Sequence, residues 1–403
     1  MKITSVDIIK AFKTPSVAAE VAVGNVPWHP VFVRINTDEG ISGVGEVGVA
    51  YGIGHSAAAG YVRDMAEQFL IGYDPFKTEK LWADVFRESF WGQGGGPIVY
   101  GAMSAVDMAL WDIKGKALGQ PVYQLLGGKT NDDLRTYASQ IQFGWSDKGF
   151  QPLGAPEQYA EAACIAVSEG YDAVKVDPLQ VDENGVMSIT SSSNRILDRD
   201  TFNTTRKRLK AIRDAVGDKV DIIVELHCGT NVSSGIQLAR LGEEFNCMFI
   251  EEPVHCMNPS LQRKVSRSVN IPLAAGERIY TRWGYSRYFE DQSLNVIQPD
   301  ICLVGGISEA KKVCDYASVY DVTVQAHVCG SPVSTAAALQ VEAAISNFQI
   351  HELHIVGLQG YNRQLCLQDN LPVRGKFKVP DEPGLGVDLN GKFLETQPKL
   401  TVK

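Results

Sequence analysis

From about residue 133 onward, short apolar runs rich in β-branched residues alternate with longer stretches whose apolar positions recur at three- and four-residue spacing. The apolar runs are LRTYAS (134–139), YDAVKVD (171–177), DIIVELH (221–227), CMFIEE (247–252), PLAAGE (272–277), LNVIQPD (294–300), VTVQAH (322–327) and QIHEL (349–353). Between them PEQYAEAACIAVSEG, TFNTTRKRLKAIRDAVG, SGIQLARLGEEF and ISEAKKVCDYASVYD read as helices. Eight strands alternating with helices predict parallel pairing and a closed α/β barrel of the TIM type over residues 126–365. No GxGxxG follows a strand, so the fingerprint of a doubly wound dinucleotide-binding sheet is missing.

Residues 1–125 carry a different pattern. MKITSVDIIKAF, PVFVRINTDEG and SGVGEVG read as antiparallel strands with DEG as a turn, followed by helices near 55–70, 75–90 and 100–118. This predicts an α+β capping domain. The turn-rich tail, 366–403, is too short to stand alone and is expected to complete the cap by packing back on it. The polar stretch 178–201 is a long βα loop, which on a barrel belongs to the functional face.

Composition narrows the function. The chain has 403 residues, 44% hydrophobic and 21% charged, an ordinary balance for a soluble globular protein and enough length for two domains. Its net charge of -9, without a Lys/Arg cluster interleaved with aromatics, argues against nucleic acid as a partner. There is no secretory h-region near the N-terminus and no apolar run long enough to span a bilayer, so neither a membrane nor export is expected, and a cytoplasmic location is. Eight cysteines form no CxxC pair and are expected to be buried thiols; Cys228 and Cys329 stand apart because each closely follows a candidate histidine.

On a parallel barrel the strand ends converge at one mouth. Those ends carry Lys175 and Asp177, Glu225 and His227, Glu251 and Glu252, Glu277, Asp300, His327 and Glu352. Residues two apart on a strand share a face, which pairs Glu225 with His227 and Lys175 with Asp177. Glu225, Glu251 and Glu277 are spaced 26 residues apart, one βα unit per step. Facing one another without a cation, three carboxylates repel or protonate. Hard oxygen ligands with open positions suit Mg²⁺, while pairing with Lys175 or Arg278 is the plain alternative for any one of them.

The combination FIEEP (249–253), LAAGER (273–278), QPD (298–300), GGI (305–307) and His327 resembles the enolase superfamily, mandelate racemase subgroup. GGPIVYGAMSAVDMALWDIKGKALGQPVYQLLGG, IPLAAGER and YDVTVQAH are similar to acid-sugar dehydratases of the D-galactonate dehydratase kind. The resemblance spans essentially the whole chain. It implies Glu225, Glu251 and Glu277 as Mg²⁺ ligands, His327 as general base held by Asp300, and Glu352 as a protonated acid donating to the enolate oxygen. It also implies Lys175 as the neutraliser of a substrate carboxylate and His227 as the acid on the leaving hydroxyl.

Two positions depart from the family. The first ligand is usually Asp, and the second of the paired lysines on the second strand is here Asp177, which removes the base needed for two-sided racemisation. The implied reaction is Mg²⁺-dependent dehydration of a sugar acid to a 2-keto-3-deoxy acid, by a homo-oligomer. Epimerisation, lactone cycloisomerisation and non-catalytic binding of a metal or sugar acid are the other readings, as is a ligand or purely polar role for His227. Trp28, His29, Tyr51 and His55, within cap segments 16–30 and 46–55, are candidates to reach distal hydroxyls.

Overall fold

The computed structural model describes residues 1–11, 22–23, 26–187 and 196–403. Parts of two expected segments, the cap stretch 16–30 and the loop 178–201, therefore lie outside the described residues.

The strands in chain order are β1 (Ile3–Lys10), β2 (Ala22–Val23), β3 (Val26–Pro27), β4 (Val31–Thr37) and β5 (Ser42–Val47), then β6 (Asp133–Ser139), β7 (Ala173–Val176), β8 (Asp221–Glu225), β9 (Phe249–Glu251) and β10 (Leu273–Ala275). They continue with β11 (Val296–Ile297), β12 (Thr323–Val324), β13 (His351–His354), β14 (Lys376–Lys378) and β15 (Lys399–Val402).

Strands β6 to β13 are parallel neighbours in sequence order, and β13 returns to pair with β6. The remaining gap is sealed where Val324 N–H donates to Asn347 and its carbonyl accepts from Gln349, both at 2.8 Å. The ring is therefore closed, with a small apolar interior of Tyr137, Ala173, Ile223, Phe249, Ala274, Val296 and Ile350. Each predicted strand is present, and all but β6 are shorter than their apolar runs; β11 and β12 hold two residues each.

In the N-terminal part β1, β4 and β5 form an antiparallel sheet whose outer edge is taken by β15 from the C-terminal end, with Val6 opposite Val402. The tail is divided, because β14 adds antiparallel to β6 of the barrel. The sheet packs on the helix Pro97–Leu118, which is apolar almost all round and buried along most of its length. Gly45 on β5 permits the approach: a Cβ there would lie 1.9 Å from the Ala105 carbonyl oxygen.

The same helix locks the cap to the barrel through buried polar contacts. Asp107 accepts from the N–H and hydroxyl of Ser308 at 2.9 and 2.6 Å, and Ser104 from Gly305 N–H at 3.0 Å. From β5, Glu46 accepts from the N–H groups of Ser331 and Ser334 just beyond strand β12. The expectation of buried thiols needs one correction: Cys164 is exposed, and Cys228 and Cys256 are partly so, since they sit on a helix surface and on mouth loops. Among the described residues, no helix is long and apolar enough to cross a membrane.

Candidate metal centre and active site

Glu225 closes β8, Glu251 closes β9, and Glu277 follows β10 by two residues, so three adjacent strands deliver three buried carboxylates to one point. One oxygen from each lies within 4.8 Å of the others. Register sets this arrangement: Glu225 is directly opposite Glu251 in the β8–β9 pairing.

Lys175 from β7 stands among the acids, fully buried, at 3.2 Å from Glu225, 3.0 Å from Glu251 and 2.8 Å from Glu352. Arg278 bridges Glu277 and Glu252. These two cations do not complete the cluster. Burial and the neighbouring Glu225 charge push Glu251 up to about 8, and its Oε1 is buried without a hydrogen-bond partner among the described residues. An orphaned oxygen in a cluster that must otherwise take up a proton is the signature of a cation site, and the all-carboxylate donor set fits a hard ion such as Mg²⁺.

Two imidazoles abut the outer members of the triad. His327 Nε2 lies 3.0 Å from Glu277 and its Nδ1 2.8 Å from Asp300. Burial opposes its charge, but Glu277 and the Asp300 hydrogen bond outweigh it and raise His327 to about 10. His227 Nε2 lies 2.8 Å from Glu225 and its Nδ1 2.5 Å from Asp177. Against burial, the Glu225 charge and the Asp177 contact raise His227 well above the ordinary imidazole range.

Glu225 and His227 do meet, but not by sharing a strand face as expected. Strand β8 ends at Glu225, and His227 has φ 43°, so it lies in a left-handed turn rather than along a strand. The turn is held by Leu226 N–H to Glu251 O, 3.1 Å, and Cys228 N–H to Glu252 O, 3.0 Å. Asp177, likewise just past its strand, is fixed by Leu179 and Gln180 N–H donating to Oδ1 at 2.8 and 3.1 Å. Its other oxygen is thereby aimed at His227.

Glu352 sits among three donors. It accepts from Ser139 Oγ at 2.6 Å, from Val328 N–H at 2.9 Å and from Lys175. Burial would raise it, but Lys175 and then His327 bring it down to about 2, which favours its acceptor form in this arrangement of charges. The nearby lysine decides this, and strand position alone cannot reveal it.

Sequence reasoning missed Gln140, whose Nε2 donates to Glu225 at 2.5 Å from a left-handed position, φ 70°, beyond β6. The only cue was its place at a strand end. Of the cap candidates, Trp28 and Tyr51 stack with ring centroids 6.5 Å apart and pack with Cys329 and Val356, two residues past His327 and four past Glu352. Burial and then the Glu277 charge raise the Tyr51 hydroxyl, which places that side chain within electrostatic reach of the triad. The rings of His29 and His55 lie 4.7 Å apart, centroid to centroid, tilted by 37°.

A barrel mouth with a three-carboxylate cluster flanked by two His–Asp pairs, covered by an α+β cap, agrees with the sequence comparisons. Residues 3–127 match the mandelate racemase / muconate lactonizing enzyme N-terminal domain and residues 158–393 match the enolase C-terminal domain-like family. The chain belongs to the mandelate racemase subgroup of the enolase superfamily. It is 33% identical to a D-xylonate dehydratase of Haloferax volcanii over 92% of this chain and 85% of that one. It is also 33% identical to a D-galactonate dehydratase of Variovorax paradoxus over 89% and 88% of the two chains. A solved enolase-superfamily structure from Salmonella Typhimurium superposes with a TM-score of 0.94 at 51% identity, covering 100% of both chains.

Proposed function

We propose that this protein is a hydro-lyase that converts a sugar acid to a 2-keto-3-deoxy acid and water. The observation that carries the reading is the pairing of two aspartate-held imidazoles with one carboxylate triad, which supplies a base and a separate acid at one substrate. Relatives named D-xylonate and D-galactonate dehydratase support the substrate class.

Asp300 accepts the Nδ1 proton of His327 and leaves Nε2 to take the proton from C2 of the acid. Held charged by Glu225 and Asp177, His227 delivers a proton to the 3-hydroxyl as its C–O bond breaks. Lys175 offsets charge that builds on the substrate carboxylate, while Glu352, itself held by the Ser139 hydroxyl, keeps its ammonium in place. The enol that results tautomerises to the keto acid. Glu225, Glu251 and Glu277 would hold Mg²⁺, whose charge would offset that of Glu277 beside His327 and stabilise a developing enediolate.

Asp177 replaces a second basic residue on this strand, so the site has a base on one side only, which favours elimination over epimerisation. We place the enzyme in the cytoplasm as a homo-oligomer, which light scattering of the purified protein checks. Incubation with Mg²⁺ and a panel of aldonic, aldaric and uronic acids, with semicarbazide detection of 2-keto acids, tests the reaction. A keto acid from one stereochemical series is expected; ring-closed lactones or epimers without keto acid would overturn it.

A further inference from the structure

Beside the carboxylate triad lies a second group of potential ligands with a different chemistry. Cys228 Sγ, Cys256 Sγ and a carboxylate oxygen of Glu252 all lie within 4.8 Å of one another. The structure assigns to Cys228, Glu252 and Cys256 a second cation site, one that takes a thiophilic divalent ion such as Zn²⁺ and is independent of the hard-ion site.

The backbone brings the three together from two mouth loops. Cys228 follows the turn after β8, and its N–H donates to the Glu252 carbonyl at 3.0 Å. Cys256 lies four residues beyond Glu252, and its carbonyl accepts from the Tyr288 hydroxyl. Glu252 is 1% exposed, and although Arg278 holds Oε2, Oε1 is buried without a hydrogen-bond partner among the described residues. The carboxylate that approaches both sulfurs thus keeps one buried oxygen unsatisfied, a cost that a bound cation would relieve. The two thiols hydrogen-bond each other, an interaction that raises Cys228 and lowers Cys256; a soft cation replaces the proton they share.

Geometry and donor type both point to this class of ion. Zn–S bonds of about 2.3 Å and Zn–O bonds of about 2.0–2.2 Å put ligand atoms within roughly 4 Å of each other, so small side-chain movements close the site. Three protein ligands leave a fourth position open. Both cysteines are partly exposed, which gives an ion access. Thiolates prefer Zn²⁺ or Co²⁺ to Mg²⁺, so the two sites divide ions by softness. Occupation would tie the loop carrying His227 to the loop beyond β9.

Co²⁺ titration of the reduced, full-length protein in saturating Mg²⁺ reads the site directly, because only thiolate coordination gives a sulfur-to-cobalt charge-transfer band. One equivalent with that band, displaced by Zn²⁺, is expected. The band should vanish in Cys228→Ser/Cys256→Ser, and Zn²⁺ should raise the melting temperature of the wild type but not of the double variant. Cys256→Ser should keep keto-acid formation with Mg²⁺ alone. Absence of the band in protein with both thiols free, its persistence in the double variant, or a Cys228–Cys256 disulfide that persists under reductant in place of metal uptake would each overturn the assignment.

Discussion

Replacing Asp177 with asparagine should separate the two halves of the proposed reaction. Asp177 is buried, its Oδ2 lies 2.5 Å from His227 Nδ1, and two backbone N–H groups fix its other oxygen. The variant keeps shape and the turn contacts but removes the charge from the imidazole contact. A hydrogen bond to a charged group contributes about 1.5–3 kcal/mol, so proton delivery by His227 should slow roughly ten- to a hundredfold. Proton removal by His327 relies on Asp300 and should be spared.

The assay follows both events in one tube of D₂O: keto acid by semicarbazide, and deuterium at C2 of unreacted substrate by NMR. Keto-acid formation should fall while C2 exchange persists and overtakes it, because the enediolate is reprotonated before the hydroxyl leaves. KM should change little, and the melting temperature should stay near wild type. If exchange and elimination decline in parallel, or if neither changes, Asp177 does not act through His227 and the assignment of His227 as the acid loses its basis.

His327→Asn should abolish both C2 exchange and elimination, by roughly 10²–10⁴-fold, while calorimetry still detects sugar-acid binding. Glu251→Gln should raise the melting temperature of metal-free protein. Burial and Glu225 lift that carboxyl to about 8, so in the wild type it opposes folding increasingly as pH rises from 4.5 towards that value. The same variant should lose the stabilisation that Mg²⁺ gives the wild type. Glu46 is raised from 4.5 to about 7 by burial, which outweighs the donors at Ser331 and Ser334. The folded state therefore binds the extra proton, and stability should fall as pH rises through this interval. Glu46→Gln should flatten that dependence by roughly 3 kcal/mol, seen as convergence of urea midpoints at pH 5 and pH 8.

The sequence by itself determined the barrel and the identity of the triad. Eight apolar runs at βα spacing leave little choice of topology, since parallel strands need helical crossovers and those run in one hand. The even step between Glu225, Glu251 and Glu277 places one carboxylate at each of three neighbouring strand ends, a consequence of local periodicity that needs no tertiary information. His327 and Asp300 were legible for the same reason.

Only the tertiary structure decided which groups are charged and which are partners. Asp177 and His227 are 50 residues apart, and their contact depends on a left-handed turn beyond β8 that strand periodicity cannot express. Glu352 is held low because Lys175 reaches it past β6, and Glu251 retains an orphaned oxygen because that same lysine cannot satisfy three acids at once. Cys228 and Cys256, unremarkable at their separation in the chain, become one site when two loops meet. Periodicity along a chain encodes which face a residue takes; the electrostatic state of a buried group depends on the few ångströms around it, and those are filled by residues far away in sequence.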